Sequence, residues 1–451
     1  MINKIANIFR IPELRKKILF TLGAIAIFRL GSITPIPGTS WRYLQDLMEK
    51  TGSLDASGGY LGFISAITGG SMEPFLFSLG IMPYISASIV LQLLTTVVPS
   101  LEKLAKEGEA GRKKINEYTR YLTVFLCLIQ GMMVLVSRKD GWHDPSEVNT
   151  SLYMLTAMAG ITAGTIFLMW LGEQIDEFGI GNGVSLIIMG GIVERLPGVV
   201  KYLWTNASWS LTGETGGISA GVLLLLAAMF VGIVLGVVLI TQGQRRIPIQ
   251  QAKMVRGRRV FGSSQRQYLP LRVNQAGVIP VIFASSLLII PSWIAGAISG
   301  KWNNGFTIEL QSALGYGETM YLLLYVALIF VFCYFWTAIQ FQPNEMANNL
   351  RDYGSFIPGM RPGRRTAEYL EKVMNRITYV GAGFLAVIAI IPVVVSNVTG
   401  VDQIVTGFLG GTGLLIIVSV ALDVVQRIES HLIMRHYEGF LSTGRVRGRR
   451  G

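Results

Sequence analysis

Stretches of about 20 mostly apolar residues, each long enough to cross a bilayer as a helix, alternate with polar loops along the whole chain. They stand at 18–36, 75–98, 119–137, 152–172, 183–204, 219–241, 276–297, 318–338, 377–397 and 406–426. The pattern predicts an all-α, polytopic membrane protein of ten transmembrane helices. Five helices per half, an odd number, gives the halves opposite topology and permits an inverted repeat about an axis in the membrane plane. The expected organisation is an N-terminal half over 18–204, a C-terminal half over 205–426 with loops at 242–275 and 339–376, and a basic tail over 427–451. Residues 1–17 set Ile2, Ile5, Ile8 and Phe9 against Lys4, Arg10, Arg15, Lys16 and Lys17, an amphipathic pattern suited to an anionic membrane surface. Arg29 and the length of the first apolar stretch argue against a cleaved signal peptide. Before the second span, the glycine-flanked segment from Gly58-Gly59-Tyr60 to Gly69-Gly70 is too short to cross, so it reads as a re-entrant half-helix.

Composition supports a membrane protein. Charged residues make up 15% of the 451 positions, against roughly 25% in soluble domains, and apolar residues reach 51%. So apolar a chain is not disordered. With two cysteines, Cys127 and Cys333, both in apolar runs, it is not a disulfide scaffold either. The net charge of +12 is informative through its distribution. The N-terminus, the loops near 99–118, 242–275 and 339–376 and the tail hold most of the 39 basic residues, and the alternate loops hold few. The positive-inside rule then predicts both termini in the cytoplasm. Residues Gly172–Asn182 depart from this with Glu173, Asp176 and Glu177, but acids weigh little in orientation.

Within the spans, chemistry is sparse. Arg29 in the first span and Asp423 near the end of the last stand out as ionisable, and Arg427 one turn on makes Asp423 a structural i,i+4 pair. The histidines, His143, His431 and His436, lack metal-ligand spacing, and no phosphate-binding loop or potassium filter appears, so no cofactor or catalytic activity is expected. Gly179-Ile180-Gly181-Asn182-Gly183 follows a helix and reads as a tight turn. Ile81, Ile85, Ser88 and Gln92 share one helix face, and Val184 and Ile188 lie one turn apart. Such a stripe is either packing surface or a hydrophobic constriction that excludes ions by dewetting. Spacing leaves both open, along with an inverted-repeat secondary transporter of small solutes.

Eight motifs, in order, resemble the SecY family of protein-translocase channel subunits. They are Pro12-Glu13-Leu14-Arg15; Ser78-Leu79-Gly80-Ile81-Met82-Pro83-Tyr84-Ile85-Ser86-Ala87-Ser88; Glu107-Gly108-Glu109-Ala110-Gly111-Arg112-Lys113; Trp170-Leu171-Gly172-Glu173-Gln174; Gly179 to Gly183; Gly243-Gln244-Arg245-Arg246-Ile247-Pro248; Asn274-Gln275-Ala276-Gly277-Val278-Ile279-Pro280; and Phe356-Ile357-Pro358-Gly359-Met360-Arg361-Pro362-Gly363. The resemblance runs from residue 12 to about 425. It implies a channel in a bacterial cell membrane that passes unfolded secretory polypeptides and releases transmembrane segments through a lateral gate.

Its implied pore ring is Ile81, Ile85, Val184, Ile188, Ile282 and Ile416, with Val184 where isoleucine is common. The implied plug is Leu61, Gly62, Phe63, Ile64, Ser65, Ala66, Ile67, Thr68, Gly69 and Gly70. The lateral gate falls on Ser86, Ser88, Gln92 and Ile290, and the docking loops carry Arg245, Arg246, Arg256, Arg258, Arg259 and Arg361. Implied partners are SecE-like and SecG-like membrane subunits, the SecA motor ATPase, the ribosome, and signal sequences with their nascent chains. The basic loop over 242–275 would also suit anionic phospholipids or ribosomal RNA.

Overall fold

The computed structural model describes residues 11–40, 42–44, 73–142, 149–208, 218–251, 254–256, 259–261, 267–301, 305–315, 317–401 and 403–443. The helices are α1 (Pro12–Ile33), α2 (Met82–Val97), α3 (Pro99–Lys106), α4 (Glu109–Trp142), α5 (Thr150–Phe178), α6 (Gly183–Val193), α7 (Leu196–Asn206), α8 (Ala220–Gln242), α9 (Ile279–Lys301), α10 (Gly305–Ala313), α11 (Thr319–Gln340), α12 (Pro343–Asp352), α13 (Arg364–Thr399), α14 (Gln403–Gly410) and α15 (Thr412–Thr443). Short strands intervene: β1 (Ala207–Ser208), β2 (Ile218–Ser219), β3 (Gln244–Gln251), β4 (Met254–Arg256), β5 (Arg259–Phe261), β6 (Gln267–Arg272) and β7 (Ser355–Phe356).

All ten predicted spans carry helix. Among the described residues seven helices are long and apolar enough to cross a membrane, and an eighth is gained if α2 and α3, bent by 101°, form one span. Three boundaries differ for local reasons. The second span begins at Met82 rather than at 75: residues 76–81 are turns, and Pro83 stands in the first helical turn, where its missing N–H costs nothing. The fifth span breaks at Glu194–Arg195 into α6 and α7, with Pro197 opening the second piece. The tenth breaks at Gly411 into α14 and α15. In α8 only 17% of the apolar window is buried within the protein, as suits a helix whose solvent is lipid.

The chain divides into two compact units, one of residues 1–208, 214–218 and 416–451, the other of 209–213 and 219–415. In the first, α1 packs on α5 and α6, α2 on α4, and α4 on α5. A ladder of rings ties it together. Phe28 of α1 stacks on Phe77 at 6.1 Å between centroids, and Phe77 stacks on Phe167 of α5 at 6.0 Å. In the second unit, α11 lies between α9 and α13, and α14 packs on α8 and α13.

The sheet in the second unit was not foreseen. The 242–275 segment, expected only as a charged loop, forms the antiparallel pair β3–β6, with Arg245 opposite Leu271 and Ile247 opposite Leu269. β7, from the 339–376 loop, adds to the far end of β3 through Gln250–Phe356 and Gln251–Ser355. Ile247, Leu271, Phe341 and Ile357 are buried against Leu370, Val373, Met374 and Ile377 of α13. The two basic loops thus fold as one body on the base of α13.

Candidate functional site

Ile81 caps the start of α2 and is fully buried, and its carbonyl accepts the Ile85 N–H at 3.2 Å. Ile85 is half-buried on the same face. Val184, half-buried, and Ile188, buried, lie one turn apart on α6. Ile416 is buried on α15, in the same unit as these four, and Ile282 is buried in the first turns of α9, in the other unit. The Ile282 carbonyl accepts both the Ser285 and Ser286 hydroxyls, at 2.8 and 2.7 Å. The start of α9 is further held by Gln340, whose amide, turned so that its nitrogen donates to the Gln275 carbonyl, accepts Trp336 Nε1–H at 2.8 Å.

The corner that aims α6 is built from the glycine run. Asn182 caps α6 by accepting the Ser185 N–H at 2.9 Å, and Asp176 accepts the Gly183 N–H at 2.7 Å. Thr21 of α1 accepts the Ile180 N–H at 3.1 Å. A Cβ on Gly183 would fall 2.0 Å from the Gly172 carbonyl oxygen, so only glycine permits this approach of α6 to α5. The run is therefore the tight turn that its setting predicted. The acids near it are structural: Glu173 holds Arg120 through two hydrogen bonds, at 2.7 and 3.2 Å.

The sequence reading passed over one acid. Glu194, inside the fifth predicted span, pairs with Arg29 of the first and lies 3.4 Å from the Ser32 hydroxyl, whose shorter bond is to the Arg29 carbonyl at 2.8 Å. A cation within a span, meeting a carboxylate brought by a helix break, is a cross-helix tie. Asp423 and Arg427 form the expected one-turn pair at 2.9 Å.

Of the gate residues, Ser86, Ser88 and Gln92 are half-buried on α2, and Gln92 Nε2 donates to Ser88 Oγ at 3.4 Å. Ile290 lies on α9. The plug residues Leu61 to Gly70 lie outside the described residues, as does Arg258. Arg256 and Arg259 fall on the β4–β5 pair, opposite each other in register. Arg245 and Arg246 are exposed on β3, and Arg361 is exposed on the loop after β7. That loop is a built turn. Gly359 and Gly363 adopt φ of +83° and +112°, the Met360 N–H donates to the Ile357 carbonyl, and the buried Thr366 hydroxyl donates to the Arg361 carbonyl at 3.0 Å. The backbone of Arg361 is fixed while its guanidinium faces solvent. Among the described residues no group of three His, Cys, Asp or Glu side chains is placed to hold a metal ion.

A family model described as SecY matches residues 76–425. The protein translocase subunit SecY of Thermotoga maritima is 41% identical over 98% of this chain and 99% of its own length. A solved protein-conducting channel superposes with a TM-score of 0.63 at 18% identity, covering 95% of this chain and 97% of that one. Sec61 in a canine ribosome–channel complex superposes at 0.60 and 16%, with the same coverage. These two likenesses speak for the fold, and the full-length identity speaks for kinship: the chain belongs to the SecY family.

Proposed function

We propose that this chain is the pore-forming subunit of a protein translocase, passing unfolded secretory polypeptides across the membrane and releasing transmembrane segments sideways into lipid. The observation that carries this is the 41% identity, sustained over nearly the full length of both chains, to a protein translocase subunit. A passing polypeptide needs a wet path, because its peptide groups cannot be left unsatisfied in hydrocarbon. When idle the path needs an apolar seal. We assign the seal to Ile81, Ile85, Val184, Ile188, Ile282 and Ile416, and the plug to Leu61–Gly70. Burial of Ile81, Ile188, Ile282 and Ile416 supports a water-excluding role. We assign the lateral gate to Ser86, Ser88, Gln92 and Ile290.

Energy comes from outside, since the chain has no nucleotide-binding motif. The shared sheet of the two basic loops supports a single docking body that presents Arg245, Arg246 and Arg361, with Arg256, Arg258 and Arg259 beside them. Its partners in this reading are a SecA-like motor and the ribosome; the canine relative of this fold was solved in a ribosome–channel complex. SecE-like and SecG-like subunits and anionic phospholipids complete the assembly. Both termini face the cytoplasm, following the basic loops. The transporter alternative needs a free coupling acid, and Glu194 is engaged by Arg29 and Ser32.

The test is site-specific crosslinking from positions 81 and 282 to a secretory chain stalled in transit. Adducts that depend on a functional signal sequence are expected. A small-solute carrier would give none.

A further inference from the structure

Residues 73–81 form no helix, yet they are deeply enclosed within the first unit: Phe77, Ser78, Leu79 and Ile81 are all buried, Ser78 and Ile81 fully. They lead directly into α2, which Ile81 caps. From this arrangement we propose that the stretch is a rigid strap, clamped between Gly31 of α1 and Gly164 of α5, that positions Ile81 and thereby sets how tightly the apolar seal closes. The inference rests on the assignment of Ile81 to that seal, and it adds Gly31, Gly164 and Phe77 as positioning residues.

Contacts fix the strap along its whole length. At its start it pairs with the chain leaving α1: Pro35 bridges Phe75, the Ile36 N–H donates to the Pro74 carbonyl, and the Leu76 N–H donates to the Thr34 carbonyl, both at 2.9 Å. Buried Glu73 accepts the Tyr43 hydroxyl at 2.8 Å. In the middle, the Phe77 ring lies within 2° and 10° of parallel to the rings of Phe28 and Phe167. At the end, Gly80 takes φ of +57° and its N–H donates to the Phe77 carbonyl at 2.9 Å, which turns the chain into α2. The start of α2 has no side-chain cap, so its place is left to the strap. A closely packed interior transmits strain rather than absorbing it, so a shift at Phe77 reaches Ile81 four residues on.

The two glycines let the strap pass. A Cβ on Gly31 would overlap the Phe77 ring, and one on Gly164 would overlap the Leu76 carbonyl, with Phe77 Cδ1 3.1 Å away. Neither obstacle yields cheaply, because the ring is stacked on Phe28 and Phe167 and the carbonyl is backbone. Other glycines on the same two helices lack such neighbours. A Cβ on Gly23 of α1 meets nothing within 4 Å, and one on Gly160 of α5 meets the Ile36 and Leu76 side chains at 3.8 and 3.9 Å, ordinary contact distances. Close approach is thus confined to the two positions that face the strap.

The experiment uses the full chain with its accompanying membrane subunits, reconstituted in planar bilayers at equal amounts of folded channel. It reads ion conductance with no polypeptide in transit. Gly31→Ala and Gly164→Ala should each raise that resting conductance severalfold, and Gly23→Ala and Gly160→Ala should leave it unchanged. Adding Phe77→Leu should lower the leak of Gly31→Ala, because the shorter side chain frees the space the methyl needs. It should not lower the leak of Gly164→Ala, whose obstacle is a carbonyl. Such selective rescue is not expected of a general loss of packing. If Gly164→Ala does not assemble, the Gly31 pair carries the test. A second readout is positional: Ile81→Cys should react with a membrane-impermeant maleimide faster when Gly31→Ala is added, against the low background of buried Cys127 and Cys333. Ile81→Asn is the reference. Resting conductance unaltered by Ile81→Asn would take Ile81 out of the seal and the proposal with it. Conductance raised by Ile81→Asn but by neither Gly31→Ala nor Gly164→Ala, or raised equally by all four glycine substitutions, would overturn the proposal alone.

Discussion

In the proposed channel, single side chains are expected to govern closure and drive. Ile282 is 7% exposed and Ile416 1% exposed. Replacing either with asparagine puts a polar amide at a buried apolar position, at a cost of about 1–3 kcal/mol to the closed form. Water at that level lowers the barrier further, because an apolar neck excludes ions only while dry. Export of substrates with defective signal sequences should therefore rise in Ile282→Asn and Ile416→Asn. Export equal to that of the unaltered protein would remove both residues from the seal. The docking role proposed for Arg361 belongs to the other end of the process. Its carbonyl is held by Thr366 and its guanidinium faces solvent, ready for two-point binding of a carboxylate or phosphate. Arg361→Glu should cut ATP-driven translocation in reconstituted vesicles by more than the fivefold or so that screening of one surface charge explains, with Arg361→Lys recovering only part. Folding should be unaffected, and normal translocation by Arg361→Glu would leave the arginine as a topological charge.

Helices were legible where their signal is periodic apolar length, and less so where local chemistry interrupts it. The breaks at Glu194–Arg195 and Gly411, and the late start of α2 at Met82, fall inside runs whose overall apolar character hides them: Pro197 opens α7, and residues 76–81 are turns ahead of Pro83. Glu194 was missed because it lies inside such a run, and its partner Arg29 is 165 positions away in the chain. The β3–β6 pair was missed because arginines drew the eye to charge. Yet Arg246, Pro248 and Gln250 alternate with buried Ile247 and Ile249, the period of a half-buried strand. That β7 would complete the same sheet depends on long-range pairing that no local pattern encodes. The α5–α6 corner offers a contrast within one element class. Gly183→Ala forces a Cβ to within 2.0 Å of a backbone oxygen, while a Cβ on Gly198 in α7 meets nothing within 4 Å. Thermal unfolding in detergent should show Gly183→Ala destabilised by about 1–3 kcal/mol and Gly198→Ala unchanged or stabilised by up to about 1 kcal/mol. Equal effects would mean that the corner relaxes freely.

At the scale of the whole molecule, the proposed channel must be both sealed and able to open, and the segment 61–70, assigned above as the plug, would be where the two demands meet. The segment is about ten residues of mainly apolar sequence, so it cannot cross a bilayer, and Gly58, Gly59, Gly69 and Gly70 flank it in the sequence. In the plug reading its apolar residues would pack in the path only while the path is empty, because a polypeptide in transit takes the same space. The chain is well suited to a direct test. Its two native cysteines, Cys127 and Cys333, are 0% and 2% exposed, so a thiol introduced by Ile64→Cys would report with little background. With the channel idle, a membrane-impermeant maleimide added from the non-cytoplasmic side should label that thiol slowly. With a secretory chain stalled in the channel, labelling should accelerate severalfold, and release of the stalled chain should restore protection. Labelling at one rate in all three states would make the segment a fixed connector, and would leave closure to the buried isoleucines alone.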